Sequence, residues 1–168
     1  TYKTVADANG TGTITWTVTD NGTTNGSADA KSVSDSLSIT VTEVNDAPTR
    51  TSAAPSAVSA AEDSANTTAA SLGLSGLTYG KGGGADESSQ TLTVKITAIP
   101  SFVTLWNGTT QVNVNDTLSV AALQGLTYKT VADANGTGTI TWTVTDNGTT
   151  NGSADAKSVS DSLSITVT

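Results

Sequence analysis

The chain has 168 residues, of which 35% are hydrophobic and 13% charged, and its 7 basic against 15 acidic residues leave a net charge of −8. It contains neither cysteine nor histidine, which excludes disulfides, thiolate metal sites and imidazole chemistry, and with them zinc, copper and haem centres. Phosphate binding needs a basic surface, so nucleic acid is not an expected partner.

Residues 1–42 recur without a change as residues 127–168, so residue 127 answers to residue 1 at an offset of 126. A unit of that length can bury its own core. Its period lies well beyond the ~20–50 residues of solenoid repeats that lean on their neighbours. The expected organisation is a slice of a tandem array. Residues 1–42 are then the C-terminal part of a preceding repeat, and residues 43–168 are one complete repeat with its linker at 43–49.

In chain order, Thr1–Thr4, like its copy Thr127–Thr130, predicts a short strand, and a turn-rich Ala-Asp-Ala-Asn-Gly-Thr-Gly loop follows each. Thr13–Thr19 alternates strictly, with Ile14, Trp16 and Val18 on one face and threonines on the other, the pattern of a half-buried strand. Asp20-Asn21-Gly22 is a turn signal. The polar stretch to Ser32 reads as a long hairpin loop leading to a second strand over Ser36–Thr42, with Leu37, Ile39 and Val41 inward.

Beyond the linker, an edge strand is expected over Ser56–Ala60, just after Pro55, and another over Thr68–Leu74. Lys81–Ser88 reads as a mobile glycine-rich loop ending in two carboxylates. Its only lysine precedes the glycines and no helical periodicity follows, so it is not a phosphate loop. Thr91–Thr97 is a third alternating strand, and Asn107-Gly108 marks a hairpin between Val103–Trp106 and Gln111–Val114. Thr117–Leu123 fits either a strand or one helical turn.

About seven strands with turn chemistry between them and no amphipathic helix predict an all-β, Greek-key β-sandwich of immunoglobulin-like class. Its core is expected at Leu92, Val94, Ile96, Leu105, Leu126, Tyr128, Ile140, Trp142, Val144, Leu163, Ile165 and Val167. Residues 1–42 lack the other half of such a sandwich, and a bare three-stranded sheet is marginal. They should pack on the complete repeat or join another molecule. No apolar run reaches the ~18 residues of a membrane span and no signal-peptide pattern opens the chain, so a soluble piece without membrane insertion is expected.

Several strings carry a family resemblance: Val44-Asn45-Asp46-Ala47-Pro48 after a Thr/Ile/Val strand, Glu62-Asp63-Ser64, Ala85-Asp86-Glu87 ahead of Thr91-Leu92-Thr93-Val94, and Trp142-Thr143-Val144-Thr145-Asp146-Asn147-Gly148. Over nearly all of residues 43–168 the chain resembles a cadherin-like repeat, of the VCBS-type group found in very large bacterial surface and biofilm adhesins. The Val-Asn-Asp-Ala-Pro junction is the specific part of the match. In cadherins an Asp-x-Asn-Asp-Asn linker holds calcium together with a glutamate of one domain and aspartates of the next. Here Glu43 stands at the first Asp position and Ala47 at the final Asn, a pattern that fits one or two ions per junction. The resemblance implies a calcium-stiffened spacer or adhesion repeat of a long extracellular protein at the bacterial cell surface. Its partners would be neighbouring repeats of the same chain, with homotypic or cell-surface contacts.

The residue chemistry points the same way. Calcium takes about six to eight oxygen ligands, and the loops offer Glu43, Asn45, Asp46, Glu62, Asp63, Asp86, Glu87 and Asp146. The competing use of such residues is in Asx-turns. No enzyme is expected, because adjacent carboxylates in extended chain point to opposite faces and cannot flank one bond, and no nucleophile motif is present. The alternative function is a carbohydrate-binding β-sandwich module in which Trp106, beside Asn107-Gly108, stacks on a sugar; exposure of Trp106 discriminates. Lys95 alternates outward with Thr93 and Thr97, which opposes an isopeptide staple.

Overall fold

The computed structural model describes all 168 residues, and the fold is all-β. Strands β1 (Gly10–Thr19) and β4 (Ser32–Val41) pair antiparallel along their whole length, Ile14 opposite Leu37 and Val18 opposite Val33. Because facing residues in an antiparallel pair share a side, the ribbon has one apolar face and one face of Ser and Thr. The expected hairpin loop holds two further short strands, β2 (Thr23–Thr24) and β3 (Ser27–Ala28). Between them Asn25 and Gly26 both adopt positive φ, as a tight two-residue turn requires.

The rest of the chain forms β5 (Thr49–Arg50), β6 (Val58–Ala60), β7 (Ala70–Ser71) and β8 (Tyr79–Gly80), then a 3₁₀ turn at Asp86–Ser89 and β9 (Thr93–Ala98). Next come the hairpin β10 (Val103–Asn107) and β11 (Thr110–Val112), then β12 (Thr117–Ser119), which runs into α1 (Val120–Gln124). The last stretch holds β13 (Thr127–Thr130), β14 (Gly136–Thr145), β15 (Thr149–Thr150), β16 (Ser153–Ala154) and β17 (Ser158–Val167). Thr117–Leu123 is thus strand and helical turn in succession. Ser119 caps α1 by accepting the Ala122 N–H, and no helix is long and apolar enough to cross a membrane.

Two sheets carry the core, one ordered β12-β9-β14-β17-β6 and one ordered β11-β10-β13-β7. From the first, Val94, Ile96, Ile140, Trp142, Val144, Leu163, Ile165 and Val167 turn inward. They join Val103, Leu105, Val112 and Tyr128 of the second, together with Leu72, Leu74, Leu77, Leu123 and Leu126 from the connections, in one buried cluster. Full burial of a side chain of this size contributes about 1.5–3 kcal/mol. The opposite face of β14 and β17 is Thr and Ser, with cross-strand hydroxyl bonds such as Thr145 to Ser158 at 2.8 Å. Leu92 packs against the cluster only partly buried, and Lys95 is exposed.

A polar latch closes the core at Trp142. Its indole N–H donates to the Tyr79 hydroxyl at 2.8 Å, and that hydroxyl donates to Asp161 Oδ2 at 2.9 Å. Arg50 holds the other Asp161 oxygen at 2.7 Å. Burial, and then the neighbouring Asp161, hold the Tyr79 phenol above its usual range.

The duplicated sequence behaves differently in its two settings. Thr127–Thr130 is a strand because β10 and β7 flank it. The identical Thr1–Thr4 is not a strand, because those flanking partners come from the 43–126 part of a unit and residues 1–42 have none. The complete repeat does not cover the apolar face of the β1–β4 ribbon: Trp16 is 43% exposed where Trp142 is 0% exposed.

Candidate metal centre

The linker is held by its own domain. Asn45 is buried, its backbone N–H donates to Thr150 Oγ1 at 2.9 Å, and its side-chain amide donates to Asp146 Oδ1 at 2.9 Å and to the Asp155 carbonyl at 2.8 Å. Its Oδ1 accepts from Gln90 Nε2 at 2.7 Å. With its backbone N–H and both side-chain polar atoms engaged, Asn45 acts as a clamp. Gly148 lies against it so closely that any Cβ there would collide with the Asn45 side chain. Glu43 Oε1 accepts from Thr149 Oγ1 and from the Gly152 N–H, each at 3.0 Å, so this carboxylate also ties the linker to the β15–β16 hairpin.

Asp146 sits beneath that clamp. Its Oδ1 accepts the Asn45 amide and the backbone N–H groups of Gly148 at 3.0 Å and Lys157 at 2.9 Å, which is the Asx-turn use anticipated for such residues. Its Oδ2 is buried without a partner. The copy Asp20 makes the same turn, accepting from Lys31 and Gly22, and these two backbone bonds lower its pKa.

Asp46, Asp86 and Glu87 lie elsewhere, the carboxylate of each beside one glycine of the strip Gly82–Gly84. Glu87 is 2% exposed. Its Oε1 accepts the Asp46 backbone N–H, while its Oε2 is buried with no hydrogen-bond partner. A Cβ on Gly82, whose φ is +124°, would strike Glu87 Oε2, and one on Gly84 would strike Asp86 Oδ1. One on Gly83 would stand 2.9 Å from both Asp46 Oδ2 and Asp7 Oδ1. The loop is therefore a packed cradle in which absent side chains leave room for four acidic residues, and not simply a mobile linker. None of the three ion pairs in the chain reaches these carboxylates.

Asp7, which the sequence reading passed over, belongs to this group because the loop after Thr4 lies across the junction. Its copy Asp133 occupies the opposite pole of the complete repeat. There Glu62, Asp63 and Asp133 bring carboxylate oxygens within 4.8 Å of one another, and the Asp133 N–H donates to Asp63 Oδ1 at 3.2 Å. Asp7 and Asp133 share positive φ values of 56° and 57°. Glu62 thus does not join the linker residues of its own repeat; the Glu62 N–H bonds to the Thr168 carbonyl at 2.6 Å, where the chain leaves the domain. The signal for Asp7 was present in the sequence, since an Asp in the turn-rich loop of both copies recurs at the offset of the repeat.

The donor types along the strip are those a hard cation takes, while the acidic group whose carboxylate oxygens lie within 4.8 Å of one another is Glu62, Asp63 and Asp133 at the other pole. Carboxylate and carbonyl oxygens from Asp7, Asp46, Asp86 and Glu87 line the strip, and one buried carboxylate oxygen has nothing to accept. An unpaired buried charge is costly, and a divalent ion on oxygen ligands is one way to relieve it. Trp106, by contrast, is not a fully exposed ring. It is half-buried, its N–H donates to Thr104 Oγ1 at 2.9 Å, and the Lys129 ammonium lies 4.7 Å from the ring centroid. Comparison with protein-family models, with curated proteins and with solved structures finds no match for this chain.

Proposed function

We propose that this chain is a structural spacer and adhesion repeat of a long extracellular bacterial adhesin, a Greek-key, cadherin-like unit stiffened by calcium where consecutive repeats meet. The observation that carries the reading is Glu87, 2% exposed with an unpartnered Oε2 beside a glycine strip. Asp7 on one side of the junction and Asp46 with Asp86 on the other border the same strip. Asp7, Asp46, Asp86 and Glu87 would hold the ion, which would supply only charge and coordination. Glu43 and Asn45 set the linker in place, and Asp146 supports Asn45 from below.

The offset of 126 extends the reading. Asp133 answers to Asp7, so in a tandem array Glu62 and Asp63 of one repeat would face Asp46, Asp86 and Glu87 of the next. Without an ion these carboxylates repel, and the junction flexes. The carbohydrate-binding alternative would have to use Trp106 as a half-buried ring with the Lys129 ammonium over it.

Extracellular modules bind calcium with dissociation constants of about 10⁻⁴–10⁻³ M. At a free concentration tenfold above such a value the folded state gains only ~1.4 kcal/mol per ion, so shape responds more than melting temperature. The test is calorimetric titration of calcium, with small-angle scattering of a chain of two complete repeats in calcium and in chelator. The expected result is saturable binding and a narrower distribution of dimensions with calcium. Unchanged dimensions and flexibility, or an Asp46→Ala variant that binds calcium as the parent does, would refute it.

A further inference from the structure

We propose that Asn107-Gly108 is a site of spontaneous covalent modification, at which the Asn107 side chain loses ammonia to the backbone and is converted to aspartate or isoaspartate. Residues 43–168 hold four Asn-Gly pairs, at Asn107, Asn135, Asn147 and Asn151, and asparagine is among the thermolabile side chains. In such a pair the glycine nitrogen can attack the asparagine Cγ, because no Cβ crowds its approach. The new N–Cγ bond replaces the bond to the side-chain nitrogen, which departs as ammonia with the proton of the glycine N–H. The cyclic imide that remains is opened by water. Cleavage at Cγ restores the main chain and leaves aspartate; cleavage at the Asn107 carbonyl carbon leaves the main chain running through the side chain, as isoaspartate. Water is the only co-reactant, and nothing is oxidised or reduced.

The fold sorts the four pairs. Reaction requires a glycine nitrogen free of hydrogen bonds and an amide free to swing over it. At Asn147 both are committed: its Oδ1 accepts the Thr91 N–H at 2.7 Å, and the Gly148 N–H donates to Asp146 Oδ1 at 3.0 Å. At Asn151 the Gly152 N–H donates to Glu43 Oε1 at 3.0 Å, while the Asn151 N–H donates to the Glu43 carbonyl at 3.2 Å. Asn135 donates to Glu62 Oε2 at 3.5 Å, and Gly136 is paired with Val167 against the Phe102 ring. Asn107 is held by none of these devices. It ends β10 with its side chain exposed, and the Gly108 N–H makes no hydrogen bond. Gly108 takes φ +61° in the turn to Thr110, and no atom lies within 4 Å of its Cβ position. The turn closes the hairpin with β11, a three-residue strand at the edge of its sheet that is bonded only to β10, so the tip opens at little cost in free energy. Aspartate there adds a negative charge. Isoaspartate lengthens the main chain beside the Asn107–Thr110 pair and breaks its register.

The experiment incubates the full chain, native and in urea, in warm, mildly alkaline buffer. Each Asn-Gly peptide is then followed by mass spectrometry, with a fragmentation that separates aspartate from isoaspartate. In the native chain Asn107 is expected to lose ammonia at least about tenfold faster than Asn147 and Asn151, whose reaction waits on local opening. In urea, where the fold no longer protects, the pairs should react within about threefold of one another. Gly108→Ala crowds the attacking nitrogen and should slow modification of Asn107 while leaving the other pairs unchanged. The proposal is overturned if native Asn107 reacts no faster than Asn147 and Asn151, if the native ratio persists in urea, or if Gly108→Ala is modified at Asn107 as fast as the parent.

Discussion

The duplicated segment makes possible a measurement in which local sequence effects cancel. Trp16 and Trp142 have the same 42-residue neighbourhood and the same cross-strand partners, Asp35 and Asp161. Replacing Trp142 by Ala removes a side chain that is 0% exposed and packed in the core cluster, and large-to-small changes of that kind cost about 3–5 kcal/mol. It also takes the indole N–H donor from the Tyr79 hydroxyl. At about 2.1 cal/mol/K per residue, a unit of this size unfolds with an entropy near 0.26 kcal/mol/K, so the melting temperature should fall by roughly 11–19 °C. Trp16→Ala touches a side chain that is 43% exposed and should shift the transition by no more than ~2 °C, in keeping with ~0.5 kcal/mol for a surface change. Calorimetric melting of the two variants beside the parent is the assay. Equal shifts would show that the tertiary environments of the copies do not differ as described.

Two further outcomes follow from the latch and the glycine strip. Tyr79→Phe leaves the Trp142 indole unpaired and should cost about 1–3 kcal/mol. Because the folded pKa of Tyr79 lies above its usual value of 10.0, the neutral phenol stabilises the fold fully below pH 10, and that contribution is lost as pH rises beyond it. Denaturant titrations across pH 8–11 should therefore fall less steeply in the variant, and parallel profiles would contradict the assignment. Gly83→Ala puts a methyl group 2.9 Å from Asp46 Oδ2 and Asp7 Oδ1 and should weaken calcium binding at least tenfold by calorimetric titration; an unchanged affinity would remove the strip from the site.

Strands with strict alternation were legible because the period needs no tertiary information, as in Thr13–Thr19 and Thr91–Thr97. The β10–β11 hairpin was legible from its turn chemistry, but its two-residue turn is Gly108-Thr109, one residue later than expected, since Asn107 ends β10 and pairs with Thr110. Leu72, Leu74 and Leu77 were not foreseen in the core, since they fill it from short, irregular segments without a period. The strand expected at Thr1–Thr4 failed for a different reason, one that no local rule contains: Thr127–Thr130 needs β10 and β7 beside it. The acidic residues were found as types but not as groups. Glu43 and Asn45 proved to be anchors, Glu62 lies at the far pole, and Asp7 enters from the preceding segment, because distance through the fold is set by the linker path and not by spacing in sequence.

The parallel pairing of β6 with β17, Ile165 opposite Val58 and Val167 opposite Ala60, determines how the domain bears a pull between Glu43 and Thr168. Force enters β6 from its N-terminal end and leaves β17 from its C-terminal end. In two parallel neighbours these ends lie at opposite poles, so the load runs along the strands and across their hydrogen bonds together. Those bonds, with the Thr168 N–H to the Ala60 carbonyl and the Glu62 N–H to the Thr168 carbonyl, must yield as a set and not one at a time from an opening end. A domain loaded in shear resists stretching more than its thermal stability alone would indicate, and here the resisting patch lies beside the carboxylates of Glu62, Asp63 and Asp133.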